Sequence, residues 1–184
     1  MRIAVTGTHG SGKTTLIDDF VSAHSDYECV PEPYWLLAQN GTPFADGAST
    51  ADIEEQLGQS CKLLLAGETD VIFDRCPLDF LAYLDVVSAD EGFEWLPDGR
   101  LLNRIGKALA SLDLVIFLPL LRPDEITVSI ERPGLRVRVD KRLKAMLRED
   151  DLGLLDDGPH LLEISGSREQ RVARIAAIIT RQEA

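Results

Sequence analysis

The chain has 184 residues, 45% hydrophobic and 27% charged, which is enough to bury a substantial core in one ordinary domain and too apolar for a disordered chain. Its 31 Asp and Glu outweigh 19 Lys and Arg for a formal net charge of −12, which disfavours nucleic acid as a partner of the molecule as a whole and leaves small phosphorylated ligands open. Cys29, Cys61 and Cys76 form neither a CxxC signature nor an even disulfide framework, and the longest apolar run, Leu114 to Leu121, is far short of the roughly 20 residues that span a bilayer. With Met1 to Val5 reading as a strand rather than a signal peptide, the expectation is a soluble cytoplasmic protein with no membrane partner.

Short strand-like runs alternate with segments of helical spacing, which predicts an α/β domain with a parallel sheet flanked by helices, four of its five strands being of the buried type. The first run, Arg2 to Thr6, enters Gly7-Thr8-His9-Gly10-Ser11-Gly12-Lys13-Thr14, a match to G-x-x-x-x-G-K-[ST] set between a strand and a helical run. Gly7, Gly10 and Gly12 allow turns closed to residues with a Cβ, so successive amides through His9 and Ser11 can converge on a phosphate. The following helix adds its positive end. Lys13 supplies a mobile cation for the terminal phosphates, and the Thr14 hydroxyl suits magnesium, a hard ion that prefers oxygen. Thr15 is a further candidate for the α-phosphate. His9 fills a variable slot and is read as loop packing rather than as a proton carrier.

The second strand, Tyr27 to Val30, leads into Pro31-Glu32-Pro33-Tyr34-Trp35. The carboxyl ends of parallel strands face the ligand crevice, so Glu32 is expected near the transferred phosphate. A carboxylate there serves an alcohol acceptor, whose proton must be removed, better than a phosphate acceptor that is already anionic. The third strand, Val71 to Phe73, ends in Asp74, placed to hold magnesium, followed by Arg75. Arg75 cannot polarise water as a second carboxylate does in hydrolytic ATPases, yet it can stabilise transferred phosphoryl charge, which favours transfer over hydrolysis. The absence of an Asn-Lys-x-Asp run argues against a small GTPase.

Gly, Pro and acids between Asp90 and Arg100 suggest a loop insertion. The stripe Leu101, Ile105, Ala108, Leu112 then predicts a helix, and Leu114 to Leu118 the fourth strand. Residues 122–148 hold eight of the 19 basic residues against four acids. That window fits either an anion or a solvated helix face. After the fifth strand, Leu161 to Ile164, Ser165-Gly166-Ser167 can approach an adenine or simply start the last helix, where Ser167 and Gln170 fit a capping box ahead of the stripe Val172, Ile175, Ala176, Ile179. Tyr34, Trp35, Phe44 and Tyr83 can stack on a flat ring or fill the core.

Four blocks in this order, namely the phosphate loop, Val30-Pro31-Glu32-Pro33 with Trp35, Phe73-Asp74-Arg75, and Glu131-Arg132-Pro133-Gly134-Leu135-Arg136-Val137-Arg138, resemble the deoxynucleoside kinase branch of the P-loop kinases. The stretch from Phe73 to Tyr83 is also similar to bacterial ATP-binding proteins related to nicotinamide riboside kinase. The resemblance implies a three-layer P-loop NTPase fold with a five-stranded parallel sheet in the order 2-3-1-4-5. It implies Glu32 as base, Asp74 with Arg75 serving magnesium and transfer, and Arg132, Arg136 and Arg138 on a lid at about 122–148 that closes over the phosphates. Two departures stand out: Cys76-Pro77 follows where Ser is usual, and the helix between the second and third strands reads as short. Gln56 and Gln59 are equal candidates for a base-reading amide.

The expected activity is ATP- and Mg2+-dependent phosphoryl transfer to a hydroxyl of a small nucleoside-like substrate by a single P-loop kinase-like domain. A nucleoside monophosphate kinase would instead clamp an acceptor phosphate with extra arginines, and an ATP-binding switch module would turn over no acceptor at all. Homodimer formation is left open.

Overall fold

The structure, a computed structural model, describes residues 1–45, 49–121, 132–156 and 158–182. Its five strands are β1 (Arg2–Thr6), β2 (Glu28–Val30), β3 (Val71–Asp74), β4 (Leu114–Phe117) and β5 (His160–Glu163). They pair in parallel in the order β2-β3-β1-β4-β5, with Ala4 in register with both Phe73 and Val115. The helices are α1 (Lys13–Ala23), α2 (Pro33–Gln39), α3 (Thr50–Leu64), α4 (Pro77–Asp90), α5 (Gly99–Ala110), α6 (Pro133–Glu149) and α7 (Arg168–Gln182).

Period-two alternation sorts the central strands onto two cores. Ile3, Val5, Ile72, Leu114 and Ile116 pack against Leu16, Ile17 and Phe20 of α1 and Ile175 and Ile179 of α7. Ala4, Val71, Phe73, Val115 and Phe117 point the other way, onto a larger cluster built by α3, α4, α5 and α6. Because β1, β3 and β4 are covered on both faces, they read as continuous apolar runs. Only these three are of the buried type. β2 and β5 are edge strands, each with one neighbour, and their residues are half-buried or exposed.

The connection between β2 and β3 corrects the reading of a short helix there. Two helices occupy it, and α3 runs 15 residues. Its start is set by Ser49, whose side chain accepts from the Asp52 amide, and Ile53, Leu57, Cys61 and Leu64 give it a buried stripe at i, i+4, i+8, i+11. The expected cap of α7 is present in both directions, with the Ser167 amide donating to Gln170 Oε1 at 3.0 Å and the Gln170 amide to Ser167 Oγ at 3.3 Å. The loop between Asp90 and Gly99 is seen as expected, pinned by buried Trp95, whose indole N–H donates to Glu54. Of the expected lid, residues 122–131, including Glu131, lie outside the described residues. The remainder is α6 with its preceding Arg132.

Candidate active site

The strand order reverses at β1, and there the chain leaves the sheet as the phosphate loop. Gly7 has no room for a side chain, since a Cβ would stand 2.7 Å from the Leu118 carbonyl oxygen. Gly12, at φ 93°, takes the left-handed conformation that opens α1 and leaves the first amides of that helix facing the loop. Lys13 is buried beneath, its Nζ donating to the Thr8 carbonyl at 3.1 Å. Burial, with Arg75 second, lowers its pKa from 10.5 to about 8. Gly10, Ser11, Gly12 and Thr15 line a cavity of about 780 Å³ that extends to Leu120, Ile164 and the Gly166-Ser167 turn. Its lining joins the loop residues to the apolar Leu118, Leu120 and Ile164 and to the turn after β5, a concave surface open to a phosphorylated ligand.

At the end of β3, Asp74 accepts from the Thr14 hydroxyl at 3.0 Å through Oδ2, while its Oδ1 is buried without a hydrogen-bond partner. Burial raises the Asp74 carboxyl above its ordinary value against the pull of Lys13 and Arg75. A hydroxyl next to an orphaned carboxylate oxygen fits a hard divalent cation that draws its other ligands from phosphate and water. Among the described residues there is no cluster of three or more His, Cys, Asp or Glu that could hold a metal ion.

Arg75 is buried and held from several sides. Its Nε donates to Glu32 Oε1 at 2.6 Å, and its Nη1 donates to the Gly7 carbonyl at 3.2 Å and to Asp79 Oδ1 at 3.3 Å. The guanidinium lies 5.4 Å from the centre of the Tyr83 ring. Burial alone would raise the Glu32 carboxyl, but the Arg75 and Lys13 charges outweigh it and hold the group below its ordinary value. Glu32 is therefore an ionised acceptor between the phosphate loop and a second cavity.

That second cavity, about 430 Å³, is walled by His9, Glu32 and Arg75 on the loop side, by Tyr34, Phe44, Phe80 and Tyr83 as apolar surface, and by Asp52, Gln56 and Arg132 as polar groups. Gln56 is thus the glutamine brought to the site, whereas Gln59 lines a groove on the other side of α3 with Glu55 and Lys62. Trp35 stays 60% exposed, edge-on to Tyr34.

The three lid arginines divide. Arg132 lies at the mouth of the second cavity. Arg136 is buried, lines the 780 Å³ cavity and donates from Nε to the His9 carbonyl at 2.9 Å and from Nη2 to the Gly10 carbonyl at 2.8 Å. Arg138 is directed away, into an exposed bidentate pair with Asp90 of α4 at 2.6 and 2.5 Å. For Arg136 and Arg138 the cause is helical geometry, since residues two apart on a helix point roughly 200° from each other.

Two functional contacts escape a sequence reading. Fully buried Asp79 accepts the Gly7 amide at 3.0 Å, and the Tyr83 hydroxyl accepts the His9 amide at 3.0 Å and meets His9 Nδ1 at 2.8 Å. The available signal was Asp79 three residues after Cys76, the spacing of a helix-start acid, with Tyr83 one turn on.

A family model described as an AAA domain matches residues 2–171. None of the curated proteins matches. Among solved structures, deoxyadenosine kinase from M. mycoides with products dCMP and a flexible dCDP superposes with a TM-score of 0.65 at 16% identity, over 98% of this chain and 99% of that one. Thymidylate kinase from Candida albicans gives 0.61 at 16%, over 98% and 91%. A NadR protein in complex with NAD and AMP-PNP gives 0.63 at 17%, covering 97% of this chain and 48% of that one. At such identities the likeness establishes the fold, a P-loop NTPase and kinase fold with sheet order 2-3-1-4-5. The match of the family model to all five strands, phosphate loop included, shows that the chain belongs to the AAA-domain family.

Proposed function

We propose that the chain is a single P-loop kinase-like domain that transfers the γ-phosphoryl of magnesium-ATP to a hydroxyl of a small nucleoside-like substrate. The observation that carries this reading is the position of Glu32: it lines the acceptor cavity while its partner Arg75 touches the Gly7 carbonyl of the phosphate loop. A hydroxyl bound in that cavity meets an ionised carboxylate on the side facing the phosphates. The low basicity of Glu32 is tolerable because in a loose transition state the hydroxyl surrenders its proton late, and the carboxylate has only to receive it.

Arg75 has Nε and Nη1 committed to Glu32, Asp79 and Gly7, which fixes the guanidinium plane and leaves Nη2 for the transferred group. Thr14 and Asp74 would hold Mg2+, which when bound neutralises phosphate charge. Tyr34 and Phe44, whose rings lie against each other with centroids 4.7 Å apart, form one aromatic wall that together with the amide of Gln56 suits a flat heterocycle.

The test is a panel of nucleosides and related alcohols with ATP and Mg2+, read by mass change, with Lys13→Ala as the inactive control. ADP formation should require an acceptor, and Glu32→Gln should lower kcat by about 100-fold or more. Retention of over a tenth of the activity by Glu32→Gln refutes the carboxylate as base. Tight ATP binding with no acceptor-dependent turnover points to a switch module instead.

A further inference from the structure

The geometry points to Asp79 and Tyr83, one turn apart on α4, as positioning residues that hold the phosphate loop and Arg75 in one working arrangement. Neither faces the 780 Å³ nucleotide cavity. Their polar atoms nonetheless meet the loop at three successive residues. Asp79 Oδ1 takes the Gly7 amide, and the Tyr83 hydroxyl stands 3.4 Å from Thr8 Oγ1 and takes the His9 amide.

The same two side chains hold Arg75. Asp79 Oδ1 also accepts from Arg75 Nη1, and the Tyr83 ring lies against the guanidinium. Asp79 Oδ2 is spent on the Cys76 amide, closing the start of α4, so the carboxylate is fixed by its own helix while it fixes the loop.

Strain in the backbone is a second, independent observation. Arg75 sits at φ 80°, a left-handed conformation that costs a non-glycine residue about 1–3 kcal/mol and persists only where the surroundings enforce it. Here the enforcement comes from Glu32, Asp79, the Gly7 carbonyl and the Tyr83 ring. With Asp79 fully buried, every lone pair it commits is withheld from water, so the two elements cannot drift apart without leaving a carboxylate oxygen or an arginine N–H unpaired. Helix α4 therefore acts as a rigid bar joining the triphosphate cradle to the acceptor cavity, where Tyr83 also forms part of the wall.

The transfer part of this inference rests on the kinase reading, whereas the loop-holding part rests only on nucleotide binding, and the experiment separates the two. Tyr83→Phe keeps the ring and removes the hydroxyl. It is expected to bind magnesium-ATP about 3- to 10-fold more weakly by calorimetry, with its melting temperature within a few degrees of the parent. Asp79→Asn is expected to lower kcat about 10-fold or more in the parent and less than about threefold in an Arg75→Ala background, because the two residues act as one unit. Parental ATP affinity in Tyr83→Phe overturns the loop-holding role. An equal kcat loss in both Arg75 backgrounds overturns the link to Arg75. Should Asp79→Asn not fold, or the parent turn over no acceptor, the Tyr83→Phe affinity alone decides the inference, and in the latter case the kinase reading falls separately.

Discussion

Lys13 shows how burial sets the working range of a single residue. In the unliganded chain its ammonium is disfavoured by burial and by Arg75, so it loses its proton near pH 8. A bound triphosphate adds anions beside it and raises that value again. ATP binding should therefore be full below about pH 8, weaken as pH rises through it, and take up a proton in the interval. Calorimetry in buffers of different ionisation enthalpy reads that proton directly, and Lys13→Met should abolish it. The folding linkage has the opposite slope: the unfolded chain holds this proton up to pH 10.5, so the contribution of Lys13 to stability rises between pH 8 and 10.5. The phosphate loop, Asp74 and Arg75 could be placed from the sequence because each stands at the end of a buried apolar strand, and Glu32 because it follows an edge strand of the same parallel sheet, where chain geometry leaves few directions to point. Asp79 could not, since its partners Gly7 and Cys76 lie 72 and three residues away and only folding brings the first of them near.

At the scale of elements, α6 decides which lid arginines can matter. Arg136 faces the phosphate loop, Arg138 two residues on falls on the far side with Asp90, and Arg132 precedes the helix beside the second cavity. Arg138→Ala is expected to leave kcat and ATP affinity within about twofold, as an exposed pair contributes little. Arg136→Ala removes two charge-assisted bonds to loop carbonyls and should weaken ATP binding about 10-fold or more. Equal effects of the two substitutions in the same binding titration would mean that α6 presents both arginines to the nucleotide. Helix α4 illustrates a different limit of sequence reading. Its first turns are so apolar that no polar stripe marks it as the element bridging two cavities; two of its few polar residues, Asp79 and Tyr83, do that work.

For the whole molecule, the two cores flanking the sheet are separable from the site they support. Leu109 on α5 is fully buried in the larger cluster and touches neither cavity. Leu109→Ala should cost about 2–5 kcal/mol in urea unfolding while the folded fraction keeps its ATP affinity. A parallel fall in affinity would show that the larger core and the phosphate loop are mechanically coupled. The surplus of acid over base is a property of the same scale, and it makes the local basic character of α6 beside the loop more consequential for an incoming polyanion.

The sequence by itself determined the alternation of strands and helices and the identity of the phosphate cradle, because hydrophobic period and glycine placement are local properties that survive without a partner. It also determined the residues at the strand ends. Tertiary structure alone decided which glutamine enters the second cavity, which lid arginine turns away, how long the α3 helix is and what holds the loop from behind. Those outcomes depend on the rotation of one helix about its axis against another, and that angle is set by packing across the sheet rather than by any run of neighbouring residues.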